Sequence, residues 1–275
     1  MPRAFLSTDR LKQSRQNPVH AYVINLARSP ERRAQTAAEL AKCAIDYEFV
    51  EAIDGEELDL SDPSVTEDIA LPFLRENIRR PRVVACALSH LSVHRKIIAD
   101  ALEYALVLED DVIAPSDLAR LVDDIGEQLI GAEIALLNFD SQQACKFSRR
   151  GSVDLLGSRQ LVQPVDVGQL VSAAAYVITR EACERMTKGV APRSNSDDWS
   201  CYLNDGSLDR LRCVVPLAVA KNPSFASTIH LDSDSRLKSW LLAMAGRHNL
   251  RIVNRLLSYR RRTIWHKYTR TEFVD

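Results

Sequence analysis

The sequence predicts one α/β domain with a mixed sheet, followed by a helical C-terminal segment. Short apolar runs rich in β-branched residues alternate with segments of helical periodicity along most of the chain. The chain opens with a strand, a helix and a second strand, an order that favours a parallel sheet. Its 275 residues, 46% of them hydrophobic and 27% charged, exclude wholesale disorder and are enough for one large domain.

The first three elements form the predicted βαβ unit. His20–Leu26 has the β-branched and aromatic content of a strand. Ser29-Pro30-Glu31 predicts a helix start, with Ser as N-cap and Pro in the first turn, and the helix should end near Lys42. Asp46–Ile53 is the second predicted strand, and it ends at Asp54-Gly55. Four alanines are expected on the inner face of the helix: Ala34, Ala37, Ala38 and Ala41.

The later elements continue the alternation. Glu56–Arg82 is polar and contains several prolines, which predicts a long loop with one short helix. The remaining predicted helices are Val83–Glu103, about Ser116–Ile130 and Arg180–Lys188, and the remaining strands are Tyr104–Leu108, Glu133–Phe139 and Ser172–Ile178, with Ser141–Ser158 as a loop or hairpin.

The formal net charge of −1 conceals an uneven distribution. Arg236–Arg270 contains ten Lys and Arg and no Asp or Glu, which leaves 26 basic and 37 acidic residues elsewhere. Apolar residues including Trp240 recur there at helical spacing, so residues 234–275 are predicted to form a basic amphipathic helical tail that docks on an anionic membrane surface. Packing of the same helices on the acidic body is the alternative. No nucleic-acid recognition motif accompanies the charge, so no nucleic-acid partner is expected.

The cysteines and the N-terminus indicate the compartment. Six cysteines are dispersed without a CxxC pair, which predicts free thiols in a reducing environment. Residues 1–18 lack the apolar core of a secretory signal and are expected to be an N-terminal extension to a domain at 19–233. No run approaches the ~18 apolar residues that a membrane span needs. The expected location is cytoplasmic, with peripheral attachment to the inner face of the membrane.

An acidic cluster, Glu109-Asp110-Asp111, directly follows an apolar strand, where open α/β sheets place their ligand sites. Three adjacent carboxylates repel one another unless a cation offsets their charge, and oxygen ligands favour Mg²⁺ or Mn²⁺. In an extended segment, Glu109 and Asp111 point to the same side. A solvated acidic turn that caps the next helix is equally compatible with this pattern.

A basic turn, Asn25–Arg33, follows the first predicted strand and includes the helix start. Helix N-termini attract anions, and Arg28, Arg32 and Arg33 suit phosphate oxygens. The turn contains no Gly-rich loop, which excludes a P-loop and a dinucleotide fingerprint. A solvated basic helix face is the alternative. Together, the two clusters could hold a nucleoside diphosphate with its divalent cation.

His90 and His94 lie four residues apart on one predicted helix. Leu91 stands where a zinc-protease motif would have glutamate, so structural or nucleotide-contacting histidines are favoured over a zinc pair.

Seven segments occur in the order and spacing of a known family: AYVINLARSPERR, FVEAIDG, CALSHLSVHRKI, ALVLEDDV, AAAYVITREACERM, SDDW and FASTIH. They resemble glycosyltransferase family 25, which includes bacterial lipopolysaccharide galactosyltransferases and relatives of the collagen galactosyltransferases. The resemblance covers about residues 20–230. Arg82-Val83 departs from the Gly-Glu expected shortly before the CALSH segment.

The resemblance implies a GT-A-like fold, a UDP-sugar donor and Mn²⁺ or Mg²⁺. UDP-galactose is favoured as the donor, with UDP-glucose or a UDP-N-acetylhexosamine as alternatives. Asp111 would be the leading metal ligand, with Glu109 at the same site and His230 as a further metal or phosphate contact. Asp110 would contact the ribose or sugar of the donor. The remaining residues implied for the nucleotide-sugar pocket are Asn25, Leu26, Arg28, Arg32, Asp54, Ser89 and His90.

The implied reaction is inverting transfer of a hexose to a lipopolysaccharide or other surface glycan on a lipid-linked acceptor. Inversion needs a general base, for which Asp198 is the first choice and Asp197 the second. Trp199 is expected to stack on the acceptor sugar. The alternative is an acid pair that caps a helix at Trp199–Asn204. A catalytically silent nucleotide-sugar-binding scaffold is the competing function, and the intact acidic residues argue against it.

Overall fold

The computed structural model describes residues 20–141, 144–222, 225 and 272–274. Within them, the helices are α1 Pro30–Ala41, α2 Pro63–Thr66, α3 Leu71–Asn77, α4 Pro81–Ala99, α5 Leu118–Gly126, α6 Arg180–Met186 and α7 Trp199–Asn204. The strands are β1 His20–Asn25, β2 Asp46–Glu51, β3 Tyr104–Glu109, β4 Val112–Ile113, β5 Glu133–Leu136, β6 Asp140–Ser141, β7 Lys146–Leu155, β8 Arg159–Pro164, β9 Leu170–Val171, β10 Ala175–Thr179, β11 Arg210–Val215, β12 Ala220–Lys221 and β13 Glu272–Val274.

In the described part of the chain, nine strands form the main sheet in the order β13-β7-β8-β11-β5-β10-β3-β1-β2. Seven of them run in one direction, because only β8 and β10 pair antiparallel with their neighbours on both sides. Two further pairs, β4 with β12 and β6 with β9, lie apart from this sheet. The predicted fold class, a mixed and mostly parallel sheet flanked by helices, is confirmed and is consistent with a GT-A-like fold.

Alternating residues of the central strands bury into two separate layers. Tyr22 and Val107 face the layer formed by α4, α6 and α7, whereas Val23 and Leu108 face the layer formed by α1 and α5. Because β1 lies between β2 and β3, the residues that follow these three parallel strands meet at one edge of the sheet. The candidate active site lies at this edge.

The opening βαβ unit is confirmed, but the predicted inner face of α1 is wrong. Ala34, Ala38 and Ala41 are exposed, and the buried residues of this helix are Thr36 and Leu40. Thr36 donates a hydrogen bond to the backbone oxygen of Asp110, and this contact selects the face that turns inward. Arg32 lies one turn earlier on the same face and therefore reaches the acidic cluster.

The structure also differs from the prediction in segments where the local sequence pattern is weak. The stretch predicted to carry one short helix carries two, α2 and α3. Helix α4 begins two residues before the predicted Val83 and ends at Ala99 rather than Glu103. Strands β8 and β11 were not predicted, and Ser141–Ser158 contains the long strand β7, which pairs with β8 in a hairpin.

The predicted helical tail falls almost entirely outside the described residues, together with Trp240. Its one described part, β13, is a strand that pairs in parallel with β7, so the helical prediction is wrong for these three residues. In the described part of the chain, no helix combines the length and apolarity needed to span a bilayer. All six cysteines are free thiols, as predicted.

Candidate active site

A pocket opens at the carboxyl ends of β1, β2 and β3, where α4 covers one side of it. Nine of the residues predicted for donor or metal binding line this pocket: Leu26, Arg28, Arg32, Asp54, Ser89, His90, Glu109, Asp110 and Asp111. The basic turn and the acidic cluster, which are about 80 residues apart in sequence, therefore form one site.

The acidic cluster is held by α1 and β1. Arg32 Nη2 lies 3.0 Å from Asp110 Oδ1 and 3.0 Å from Asp111 Oδ2, so one guanidinium group bridges both carboxylates. Asn25 is buried behind the pocket and donates to Asp110 Oδ2 at 2.6 Å. Asn25 therefore acts on the pocket by positioning Asp110.

Burial disfavours the ionised form of the carboxyl groups in this cluster. Burial and the neighbouring charge of Glu109 raise the pKa of Asp111 to about 6, despite the opposing effect of Arg32. Burial also raises the pKa of Asp110. Asp111 Oδ1 is buried and has no hydrogen-bond partner among the residues that the structure describes. The cluster thus holds more negative charge than the arginine offsets.

A buried polar chain runs from the pocket into the core. His90 Nε2 lies 3.6 Å from Glu109 Oε1, and His90 Nδ1 lies 2.9 Å from the hydroxyl of Tyr176, which contacts His94 Nε2 at 2.9 Å. Burial acts to lower the pKa of His90, but its contacts with Cys86 and Glu109 raise it to about 9. Burial lowers the pKa of His94 to about 3. His90 is therefore a charged pocket residue, and His94 is a neutral structural one.

The positive charge of His90 also determines the ionisation state of Glu109. Burial acts to raise its pKa, but the hydrogen bond and charge of His90 outweigh burial and lower the pKa. Glu109 is therefore ionised in the pocket, and its negative charge faces the side chain of His90.

The basic turn is tied to the loop that follows β2. The Arg28 guanidinium forms a two-point ion pair with Asp54, with its Nη2 3.2 Å from Asp54 Oδ1, and this contact lowers the pKa of Asp54. Glu56 contacts both Arg28 at 3.3 Å and Arg82 at 3.0 Å. A Cβ atom on Gly55 would lie 2.5 Å from Arg82 Cα, so only glycine allows this loop to approach α4 so closely.

Ser89 lines the pocket, but its hydroxyl is used within the fold. It accepts a hydrogen bond from the backbone N–H of Ile53 at 2.9 Å and donates to the carbonyl of Ala85 at 2.7 Å. Ser89 therefore fixes the segment just after β2 against α4.

The segment Ser196–Trp199 borders the pocket. Ser196 Oγ lies 3.3 Å from Sγ of the pocket residue Cys86. Asp198 is the N-cap of α7, and its carboxylate accepts hydrogen bonds from the hydroxyls of Ser194 and Ser200 and from Cys201 N–H. The capping alternative is therefore confirmed for Asp198, while its role as a base stays a prediction.

The stacking role predicted for Trp199 does not fit its packing. Its side chain is 1% exposed, and its ring lies 5.7 Å from that of Tyr176 and 6.5 Å from that of Tyr202. Because its ring faces are covered by the core, no sugar can stack on them. Trp199 instead anchors α7 to the sheet.

Asp197 has a more direct hydrogen-bonded link to the pocket than Asp198 has. Asp197 Oδ2 accepts a hydrogen bond from the backbone N–H of Ser172 at 3.0 Å. The chain passes from Ser172 to Ala174, whose carbonyl accepts the N–H of Glu109. Ser172 has a φ of 99°, a conformation that is costly for a residue with a Cβ atom and that concentrates at functional sites.

Sequence reasoning missed several residues of this site. Cys86 and Arg82 line the pocket, and Tyr176 supports it from behind. The position of Cys86 one turn before His90 on a predicted helix could have revealed it. His230, predicted as a metal or phosphate contact, lies outside the described residues.

The fold and pocket define an α/β protein with an acidic and a basic cluster at the carboxyl ends of parallel strands, an arrangement suited to a nucleotide and a cation. Residues 19–199 match the model of glycosyltransferase family 25, described as a lipopolysaccharide biosynthesis protein family. The chain belongs to this family.

Three relatives illustrate the range of the family. The chain is 33% identical over 121 residues to human procollagen galactosyltransferase 2, covering 41% of this chain and 19% of the relative. It is 28% identical over 149 residues to a rat protein named probable inactive glycosyltransferase 25 family member 3, covering 50% of this chain and 25% of the relative. It is 27% identical over 189 residues to the lacto-N-neotetraose biosynthesis glycosyltransferase LgtE of Neisseria meningitidis serogroup B, covering 66% of this chain and 65% of the relative. The match thus spans a quarter or less of these two animal relatives.

Proposed function

We propose that this protein is an inverting glycosyltransferase that moves a hexose from a UDP-sugar to a lipopolysaccharide or other surface glycan. Galactose is the favoured hexose. The pocket that joins Arg28 and Arg32 to the acidic cluster carries the proposal. Family membership supports the reaction class. The relative LgtE, whose name refers to lacto-N-neotetraose biosynthesis, supports a glycan acceptor.

The acidic cluster fits Mn²⁺ or Mg²⁺. Asp111 Oδ1 is buried without a partner in the described part of the chain, and the three carboxylates offer the oxygen ligands that these cations prefer. Asp111 and Glu109 would hold the cation, with the predicted contribution of His230 outside the described residues. When bound, the cation offsets the negative charge that the UDP leaving group gathers.

The arginines bind the donor in this proposal. Arg28 lies in the turn before α1 and Arg32 in its first turn, so both can contact phosphate oxygens near the positive end of the helix. Asp54 keeps Arg28 in place through their ion pair, and its predicted contact with uridine remains part of the proposal. Asp110, oriented by Asn25, contacts the ribose or the sugar.

A general base from the segment after Ser196 takes the proton of the acceptor hydroxyl. Both Asp198 oxygens already accept hydrogen bonds that cap or brace α7. Asp197 has one oxygen bonded to Ser172 N–H, and Oδ1 has no partner among the described residues. The geometry therefore favours Asp197 over Asp198, which reverses the order expected from the sequence.

The acceptor is proposed to be lipid-linked, with the basic tail at residues 234–275 holding the enzyme on an anionic membrane at its cytoplasmic face. The ten basic residues without an acid between Arg236 and Arg270 support this. Co-sedimentation with anionic liposomes tests it. We expect binding that weakens as salt rises, and an absence of binding at low salt would contradict it.

Release of UDP from a panel of UDP-sugars, with Mn²⁺ or with EDTA, tests the central reaction. We expect release with one UDP-hexose in Mn²⁺ and loss of release in EDTA. UDP binding without release from any donor, even with glycan acceptors present, would favour the nucleotide-sugar-binding scaffold. The rat relative named probable inactive makes this a real alternative. Absence of both binding and release would contradict both functions.

A further inference from the structure

Three unlike side chains converge beside the acidic cluster. Cys86 and His90 lie one turn apart on α4, and Glu109 ends β3. A sulfur, a ring nitrogen and a carboxylate oxygen from these residues lie within 4.8 Å of one another. In the described part of the chain, no other group of this kind has this spacing.

We propose that Cys86, His90 and Glu109 form a second cation site, which takes Zn²⁺ rather than Mn²⁺ or Mg²⁺. Thiolate and imidazole ligands favour zinc, whereas Mg²⁺ and Mn²⁺ prefer oxygen. Zinc binds such ligands at about 2.0–2.3 Å, which places tetrahedral ligand atoms roughly 3.5 Å apart. Small side-chain rotations would close the observed spacing to this value.

The imidazole is already oriented for this role, and zinc would displace the Nε2 proton that the charged ring carries in the metal-free pocket. His90 Nδ1 is engaged by the Tyr176 hydroxyl at 2.9 Å, so Nε2 is the nitrogen that faces Glu109, at 3.6 Å. Metal-binding histidines are commonly held in this way by a hydrogen bond at the other ring nitrogen. The Cys86 side chain is only partly buried, so a cation can reach it from the pocket.

Three protein ligands leave one position of a tetrahedral zinc open to the pocket. Zinc at this position would withdraw Glu109 from the neighbouring oxygen-ligand site. It would also stand where the donor binds. Zinc is therefore an inhibitor that competes with the UDP-sugar, an inference that rests on the proposed function, whereas zinc binding itself does not.

Titration of the full chain with Co²⁺, followed by absorption spectroscopy, tests the binding. Tetrahedral coordination with a thiolate gives a near-ultraviolet charge-transfer band and intense visible bands, which oxygen ligands alone do not. We expect these bands for the wild type, their disappearance on addition of Zn²⁺, and their loss in Cys86→Ser. Cys201→Ser alters the other partly buried cysteine and is the matched control, so it should keep the bands.

A wild-type spectrum without a thiolate band would overturn the proposal, and so would equal bands in the wild type and Cys86→Ser. Circular dichroism establishes that each variant is folded. Where UDP release is measurable, Zn²⁺ should inhibit the wild type and Cys201→Ser at least tenfold more strongly than Cys86→Ser. A protein without any transfer activity but with the thiolate band would contradict the proposed function and leave the zinc site supported.

Discussion

Asp111→Asn is expected to stabilise the protein in the absence of divalent cations. The pKa of Asp111 rises from 3.8 to about 6 in the folded state, so the folded protein binds more protons than the unfolded chain between these values. Stability from this group is therefore present below the unfolded pKa and is lost as pH rises through about 6. The shift corresponds to about 3 kcal/mol of free energy of unfolding at neutral pH.

Thermal denaturation in EDTA and in excess Mn²⁺ measures this effect. At neutral pH in EDTA, Asp111→Asn should melt several degrees above the wild type, and the difference should vanish in acid. Mn²⁺ should raise the melting temperature of the wild type but not of the variant, because bound ligands stabilise only the state that binds them.

Asp123→Asn is the control, because Asp123 lies outside the pocket and its pKa is also raised by burial. This variant should keep the Mn²⁺ response. The reasoning is refuted if Asp111→Asn melts below the wild type in EDTA at neutral pH, or if Mn²⁺ stabilises both proteins equally.

Four further substitutions probe the site. Asp197→Asn should lower the rate of sugar transfer by about 10²–10⁴-fold with UDP binding unchanged. Asp198→Asn should keep most of the activity, because asparagine also caps helices. The opposite order of activities would restore Asp198 as the base. Gly55→Ala should weaken UDP binding in calorimetry, because its Cβ would lie 2.5 Å from Arg82 Cα. Unchanged affinity would show that the position of this loop does not affect UDP binding. Tyr176→Phe should lower the free energy of unfolding by about 1–3 kcal/mol, since it removes the partner of two buried imidazoles, and denaturant unfolding equal to the wild type would contradict this.

Local signals in the sequence were sufficient for the part of the fold that carries the site. Pro30 and the strand-forming residues on either side of α1 define the opening βαβ unit without help from the rest of the chain. The acidic cluster could be placed at a ligand-binding edge because it lies at the carboxyl end of the buried strand β3. The topology then brings it beside the basic turn.

The features that the sequence could not predict depend on contacts between residues that are distant in sequence. The inward face of α1 depends on the hydrogen bond from Thr36 to Asp110, 74 residues away. Strand β11 was missed because Arg212 interrupts its apolar pattern, although Arg212 is buried and pairs with Glu133 at 2.6 Å. The sequence could not distinguish Trp199 from a sugar-stacking residue, because the ring that covers it belongs to Tyr176 on strand β10, which is distant in sequence.

Calorimetric titration of UDP into the protein, with Mn²⁺ and then with EDTA, tests most directly whether the pocket holds a nucleoside diphosphate together with a cation. The predicted result is saturable binding in Mn²⁺ that weakens at least tenfold in EDTA and in Asp111→Asn with Mn²⁺. Equal affinity in Mn²⁺ and EDTA, or unchanged affinity in Asp111→Asn, would contradict the account.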